Sequence, residues 1–240
     1  MGVSSLPFKL NVDEDSIRQI IRRVQASLYK ADDRLATDYG FNNGHGMAKW
    51  SFIYSDQLGN DAEELVSFKT KRNGWKVTGL VDTTSKTLFF LLSQDNLDAR
   101  QTGKIKSKVM HYISAISGVC NADFEGKLDL SQRRAIQISF GLDFDEEEAH
   151  QIYKEMLQAC PCEIEQFCVI SLDMKGYELK SVKANILNEN LDTLYEEDWS
   201  DFIPVASNDD SDTDNKEQEQ EQEQHDMDVP LKTKRKKTSE

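Results

Sequence analysis

The pair Asn73-Gly74 constrains the fold of this sequence more than any other feature. Polar and apolar side chains alternate through residues 65–72, and residues 75–81 continue the strand character with Trp75, Val77 and Val81. Asn-Gly is the preferred pair for a two-residue type I′ turn, because both central residues of that turn need a positive φ. The pattern therefore predicts an antiparallel β-hairpin.

Further strands follow the hairpin. A second turn at residues 82–86 leads into the apolar run of residues 88–92, which completes a three-stranded antiparallel meander. A second hairpin is predicted around a turn at Asp173-Met174-Lys175-Gly176. The other predicted strands cover residues 135–142, 167–172, 177–187 and 191–195.

Helical spacing of apolar residues marks the remaining elements. The clearest stripe runs from Ile17 to Leu28, and Asn11 followed by Glu14 predicts a capping box at its start. Further helices are predicted near residues 96–101, 109–120 and 149–157, the last capped by Asp143 or Asp145. Residues 32–49 are predicted to form a loop.

The order of these elements groups antiparallel strands and helices instead of alternating them, which favours an α+β fold over a doubly wound parallel sheet. We predict one α+β domain in residues 1–204, with an antiparallel meander, hairpins and three to four helices. Residues 205–240 hold Glu-Gln repeats and end in a basic cluster, so they are predicted to form a disordered acidic tail. The basic end could be a nuclear signal, a nucleic-acid contact or a partner for its own acidic neighbours.

Charge excludes one class of function. The chain carries a net charge of −14, and residues 1–204 alone carry −9, because the tail holds eleven acidic and six basic residues. A protein that coats duplex DNA needs a basic surface to neutralise phosphates. The composition therefore argues against direct nucleic-acid binding by residues 1–204.

Compartment is indicated by the cysteines and by the hydropathy of the chain. Four cysteines in 240 residues do not form a disulfide framework, and no segment approaches 18 consecutive apolar residues or reads as a secretory signal. We therefore expect a cytoplasmic protein without membrane association.

Two patterns raise the question of metal chemistry. Cys160, Cys162 and Cys168 offer thiolates at a spacing that gives at most one poor zinc knuckle, so buried free thiols are the preferred interpretation. Glu178 and Lys180, with Asp173 upstream, form a Glu-x-Lys pattern that a metal-dependent nuclease could use. Alternating charge on a solvent-facing hairpin explains the same residues.

Nucleophilic and nucleotide-hydrolysing sites lack a signal. No Gly-x-Ser-x-Gly elbow or glycine-rich phosphate loop occurs, and spacing assigns no partner to His45, His111 or His150. No catalytic residue, metal ligand or cofactor is therefore predicted.

A partner-binding surface is the remaining candidate. Tyr195, Trp199 and Phe202 lie in an acidic segment, and aromatic side chains in such a setting suit docking on a basic partner. The alternative is that these residues fasten the end of the domain to its own core.

Several strings resemble an uncharacterised bacterial family to which no activity is assigned. They are residues 6–10, Trp50-Ser51-Phe52-Ile53, residues 74–92 and residues 195–203, so the resemblance covers about residues 6–203. These strings are structural, and the resemblance transfers no site.

The sequence thus predicts a non-catalytic cytoplasmic binding or regulatory protein that acts through contacts with another protein. A metal-dependent nuclease or phosphodiesterase using the Glu-x-Lys hairpin is the alternative. The oligomeric state is not indicated by any pattern.

The compositional change after Pro204 yields a testable prediction. Because residues 205–240 hold too little apolar surface to contribute to a core, truncation after Pro204 is expected to leave the thermal midpoint within about two degrees. Thermal melts of the full chain and the truncated chain check this. A markedly lower midpoint for the truncated chain would show that the tail packs.

Overall fold

Six strands form one sheet in chain order in the computed structural model, which describes residues 8–38, 45–58, 64–105, 109–128 and 144–204. The strands are β1 (Leu65–Arg72), β2 (Trp75–Asp82), β3 (Thr87–Ser93), β4 (Gln166–Lys175), β5 (Glu178–Leu187) and β6 (Thr193–Asp198). The described helices are α1 (Glu14–Asp38), α2 (His45–Asp56), α3 (Gln94–Gln101), α4 (Tyr112–Cys120) and α5 (Glu146–Met156). Two short 3-10 helices, Phe124–Lys127 and Ser200–Phe202, complete the described elements.

The predicted meander is confirmed, with its first turn at Asn73-Gly74. Asn73 has a φ of 49° and Gly74 a φ of 82°, as a type I′ turn requires. The register pairs Arg72 with Trp75 and continues along both strands, so that Phe68 lies opposite Gly79. The ring of Phe68 covers Gly79 so closely that a Cβ there would clash with the ring.

One parallel pair divides the sheet, because β3 and β4 run in the same direction while the other neighbours are antiparallel. A parallel connection needs a crossover, and α3, α4 and α5 lie within the crossover from β3 to β4. These three helices cover one face of the sheet, and α1 and α2 cover the other. The α+β class predicted from the sequence is confirmed.

Both faces of β3 are buried. Phe89 and Leu91 pack towards α1 and α2, whereas Leu88, Phe90 and Leu92 pack towards the crossover helices. A strand buried on both faces has a continuous apolar sequence, which explains the run of residues 88–92.

Asn121, directly after α4, ties the crossover to the sheet. Its Nδ2 donates to the carbonyl oxygens of Phe167 and Leu187, each at 2.9 Å, and its Oδ1 accepts from the Phe167 N–H at 3.0 Å. All these groups are buried, where each unmade hydrogen bond would carry a desolvation penalty. The side chain therefore fixes the end of α4 against β4 and β5.

The first half of the chain is more helical than predicted. Helix α1 continues to Asp38 and α2 begins at His45, so most of the predicted loop at residues 32–49 is helix, and α2 is a fifth helix. The cap of α1 is Asp13, whose Oδ2 accepts from the N–H groups of Asp15 and Ser16, and not the predicted Asn11–Glu14 box. Residues 32–38 hold few turn-forming residues, which explains why α1 continues through them. The glycines of the next segment favoured a loop, and this is why the start of α2 was not predicted.

The second hairpin is confirmed, but its turn lies at Gly176-Tyr177, where Gly176 has a φ of 64°. Asp173 and Lys175 therefore belong to β4, which has a bulge between Asp173 and Met174. The last strand is β6, two residues later than predicted at its start. The predicted strand at residues 135–142 and the tail at residues 205–240 lie outside the described residues.

The hairpin turn gives a stability prediction. Gly74→Val is expected to destabilise the fold by about 1–3 kcal/mol, because a β-branched residue is strained at a φ of 82°. A Cβ at Gly74 meets nothing within 4 Å, so a loss would come from the backbone and not from a clash. Gly74→Ala should cost less and Asn73→Asp very little. Urea melts of the three variants decide it, and an unchanged midpoint for Gly74→Val would contradict the prediction.

Candidate functional site

A cavity of about 350 Å³ lies at the carboxyl end of β3, between the tip of the β1–β2 hairpin and the start of α3 and α4. We call it the arginine cavity, after Arg72 and Arg100. Its described lining comes from four parts of the chain: Trp50, Tyr54, Arg72, Asn73, Trp75, Val77, Leu92, Ser93, Asn96, Arg100, Val109, Met110, His111 and Tyr112.

Arg100 is held in place from one side. Its Nε donates to Oδ1 of Asn96 at 2.7 Å, one turn earlier on α3. Burial lowers the pKa of the guanidinium from its ordinary value, although arginine stays charged at any physiological pH. No described carboxylate forms an ion pair with it, so the terminal nitrogens keep their hydrogen-bonding capacity for the cavity.

His111 is a neutral hydrogen-bond donor at the cavity wall. It caps α4, with its Nδ1 accepting from the Ile113 N–H at 3.4 Å. Burial and the neighbouring Arg100 charge lower its pKa to about 3. In the neutral ring the proton therefore resides on Nε2, because Nδ1 acts as an acceptor.

Arg72 adds a second guanidinium. Its Nη1 lies 2.6 Å from Oε2 of Glu155 on α5, whereas its Nε is buried and has no hydrogen-bond partner among the described residues. None of the described residues that line the arginine cavity is acidic. In a chain with a net charge of −14, the described lining thus holds two guanidinium groups and no carboxylate, and Arg100 is the one that forms no ion pair with a described residue.

Aromatic rings also line the arginine cavity. Trp50 and Tyr54 lie on one face of α2 with ring centroids 5.5 Å apart, and Tyr54 donates from its hydroxyl to the Leu91 carbonyl at 3.2 Å. The backbone carbonyl of Tyr54 accepts from Thr78 at 2.7 Å, so α2 is fixed to β2 and β3. Trp75 at the hairpin tip is 46% exposed. Such rings bind planar groups by stacking and cations by their faces.

A cavity lined by both guanidinium groups and aromatic rings suits an anion that carries a planar group. Guanidinium groups bind phosphate and carboxylate through paired, charge-assisted hydrogen bonds. The volume falls at the lower end of the range for small-molecule sites.

The aromatic residues predicted to bind a partner make contacts within the chain. Trp199 is 2% exposed in the core, and its Nε1 donates to Glu197. Tyr195 donates to the Phe8 carbonyl and to the same carboxylate, and burial raises its pKa well above the ordinary value. Phe202 lies under the Arg18 guanidinium at 4.7 Å. These contacts fit the alternative, in which the residues fasten the end of the domain to its core.

The cysteines do not converge. Cys168 is buried on the α1 side of the sheet, whereas Cys160 and Cys162 pack on the side of α4 and α5. Cys160 donates from its Sγ to the Cys162 carbonyl at 3.3 Å. Because the sheet lies between Cys168 and the other two, the three thiols cannot bind one zinc ion.

The Glu-x-Lys residues lie on the surface of the second hairpin. Glu178 forms an ion pair with Lys180, and both side chains are exposed, as is Asp173. Within the described part of the chain, no three His, Cys, Asp or Glu side chains lie close enough to hold a metal ion. His45 begins α2 and His150 is exposed on α5. The nuclease alternative therefore stays a prediction that these positions do not favour.

Sequence reasoning missed the arginine cavity, although one signal was present. Residues 65–81 hold four basic residues, Lys69, Lys71, Arg72 and Lys76, and no acidic one. Local charge along the hairpin indicates the basic surface that the net charge conceals. The contributions of Arg100 and His111 depend on the fold and have no such signal.

Comparison with known families matches residues 9–240 to a model described as "Family of unknown function (DUF5986)". This confirms the resemblance to a family without an assigned activity. Comparisons with the curated proteins and with the solved structures gave no significant match. None of the described helices is long and apolar enough to cross a membrane.

The depressed pKa of His111 predicts a pH-dependent stability. Between pH 6.5 and about 3 the unfolded chain gains a proton at this ring and the folded chain does not. The stability that the neutral His111 ring provides is therefore fully present above pH 6.5 and is lost as the pH falls. Over this range the free energy of unfolding decreases by up to about 1.4 kcal/mol per pH unit. His111→Asn keeps a capping side chain but removes the titration, so its free energy of unfolding should fall less steeply between pH 7 and pH 4.

Urea melts over this pH range measure the difference between the wild type and the variant. His150→Asn, at an exposed position on α5, is the control and should retain the pH dependence of the wild type. Equal slopes for His111→Asn and the wild type would show that the ring titrates in the folded state as it does in the unfolded chain.

Proposed function

The chain belongs to a family of unknown function, and we propose that it is a non-catalytic binding protein whose arginine cavity takes a small anion with a planar ring. The observation that carries this proposal is the half-buried Arg100. Its guanidinium is held by Asn96 in a cavity whose described lining contains no carboxylate.

An unpaired guanidinium costs stability when it is partly removed from water, because its charge loses hydration without gaining a counter-ion. The fold nonetheless positions Arg100 with a dedicated hydrogen bond instead of leaving it to extend into solvent. A ligand anion would supply the missing charge and would accept from the terminal nitrogens. His111 and Ser93 offer further donors in the cavity lining.

The planar ring of the ligand is inferred from the aromatic lining of the cavity. Trp50 and Trp75 present flat apolar surface to the cavity, and Trp75 is exposed without a described partner side chain stacked on it. Exposed tryptophan at the edge of a pocket is typical of binding sites, where its burial supplies much of the affinity. A compound with a phosphate or carboxylate at one end and an unsaturated ring at the other would contact both the guanidinium groups and the aromatic rings.

This proposal keeps the predicted class of function and changes the ligand. A protein partner held by Tyr195, Trp199 and Phe202 is not needed to explain the positions of those residues. We further propose that the protein acts in the cytoplasm, which the four free cysteines support, because thiols persist in a reducing compartment.

Tryptophan fluorescence tests the proposal directly. Trp50 and Trp75 line the cavity, so titration with adenosine or thymidine 5′-monophosphate (AMP or TMP) should change the emission, while the buried Trp199 contributes a constant background. Adenosine, which lacks the phosphate, should bind at least about tenfold more weakly than AMP. Arg100→Gln should weaken AMP binding about 10- to 100-fold, the scale of a lost hydrogen bond to a charged group.

Arg22→Gln is the matched control, because it removes the same charge from an exposed position on α1. It should leave the affinity for AMP unchanged. Saturable binding that Arg100→Gln and Arg22→Gln affect equally, or no binding of AMP or TMP at millimolar concentration, would refute the proposal.

A further inference from the structure

Three lysines extend the positive surface beyond the arginine cavity. Lys69, Lys71 and Lys76 are exposed and line a groove of about 880 Å³ between the β1–β2 hairpin, α2 and the end of α5. We call this the lysine groove. Its one described carboxylate is Glu155, which is paired with Arg72. No described acidic side chain forms an ion pair with any of the three lysines.

The register places two of these charges side by side. Lys71 lies directly opposite Lys76, and Lys69 follows two residues away on the same face of β1. Like charges at directly opposite positions of an antiparallel pair destabilise it. The chain contains 43 acidic residues, yet none of them lies in residues 65–81, where it could neutralise this pair of lysines. An anion in the groove would relieve this repulsion.

The lysine groove and the arginine cavity adjoin, because Tyr54, Trp75 and Val77 line both. The register places Lys71 and Lys76 on the face of the hairpin towards α2, and it places Trp75 with Arg72 on the face towards α5. The combined site therefore offers positive charge and an aromatic ring on the two faces of one hairpin tip. A ligand that uses all of it must be a chain with repeated negative charges and at least one planar group.

Resting on the proposed function, we infer that the ligand is a single-stranded oligonucleotide, with one nucleotide in the arginine cavity and the following phosphates along the lysine groove. Basic grooves with aromatic stacking platforms are the general means of binding single strands. Stacking on Trp50 or Trp75 needs an unpaired base, which a duplex does not expose at its surface. The acidity of the rest of residues 1–204 likewise opposes the broad phosphate contact of a duplex. Binding of a single strand departs from the expectation based on net charge, because residues 65–81 are locally basic.

The length of the oligonucleotide provides the test. TMP and oligothymidylates of about four and eight nucleotides, spanning the low end of known site sizes, are titrated by fluorescence at several salt concentrations. The octamer should bind at least about tenfold more tightly than TMP, with a stronger salt dependence. The double variant Lys71→Gln/Lys76→Gln should remove most of this gain and reduce the salt slope by about 1.4, at about 0.7 per phosphate contact.

The same variant should leave the affinity for TMP within about twofold of the wild type, because the lysines lie outside the arginine cavity. The control, Lys175→Gln/Lys180→Gln, removes two exposed lysines from the second hairpin and should behave as the wild type. Urea melts of both double variants establish that the fold is retained. Arg100→Gln should weaken both TMP and octamer binding.

The outcomes separate this inference from the proposed function. If TMP binds and the octamer binds no more tightly, the inference is wrong and the proposed function stands. If neither binds, both are wrong. Octamer binding that the lysine variant leaves intact, equal affinity for the corresponding duplex, or equal affinity for an octaglutamate peptide would each overturn the inference.

Discussion

Burial of β3 on both faces is the constraint on which the rest of this structure depends. Residues 88–92 are apolar without interruption, so both faces need a covering layer, which α1 and α2 supply on one side and the crossover helices on the other. Because β4 pairs with β3 in parallel, the chain must leave the end of β3 and return across one face. That departure places α3 and α4 around the carboxyl end of β3, where the arginine cavity lies. The site is therefore a consequence of the topology.

Local signals predicted the fold where a few neighbouring residues decide the geometry. Asn73-Gly74 has the turn chemistry that sets the register of the first hairpin, and Asp145 caps α5 as one of the two residues expected. The parallel pairing of β3 with β4 was not predictable in this way, because it joins segments more than 70 residues apart. Helix α2 was missed because it carries an apolar face with a glycine near its start, which resembles a loop leading into a strand.

The candidate site likewise combines features that are visible in the local sequence with features that arise only in the fold. The basic hairpin is visible in the sequence as four positive charges without a negative one, but averaging over a strongly acidic chain conceals it. Arg100 and His111 acquire their properties only in the fold, where Asn96 orients the guanidinium and burial keeps the imidazole neutral. The aromatic residues near the end of the domain are conspicuous in the sequence. In the fold, however, Tyr195 and Trp199 donate hydrogen bonds to Glu197, which also accepts one from Leu10 in the N-terminal segment.

The contrast between an acidic protein and a basic groove has a physical consequence for selectivity. A negative surface repels polyanions at long range, within about one Debye length of 8–10 Å at physiological salt, whereas the hairpin attracts them only at short range. A rigid duplex would bring many phosphates close to the repelling surface for each one that reaches a lysine. A short, flexible strand can enter the groove with few such approaches, and its bases become available to Trp75. If the inferred single strand is the ligand, repulsion by the surrounding surface would exclude duplexes while the groove binds the strand, which is how specificity is obtained when attraction alone would not discriminate.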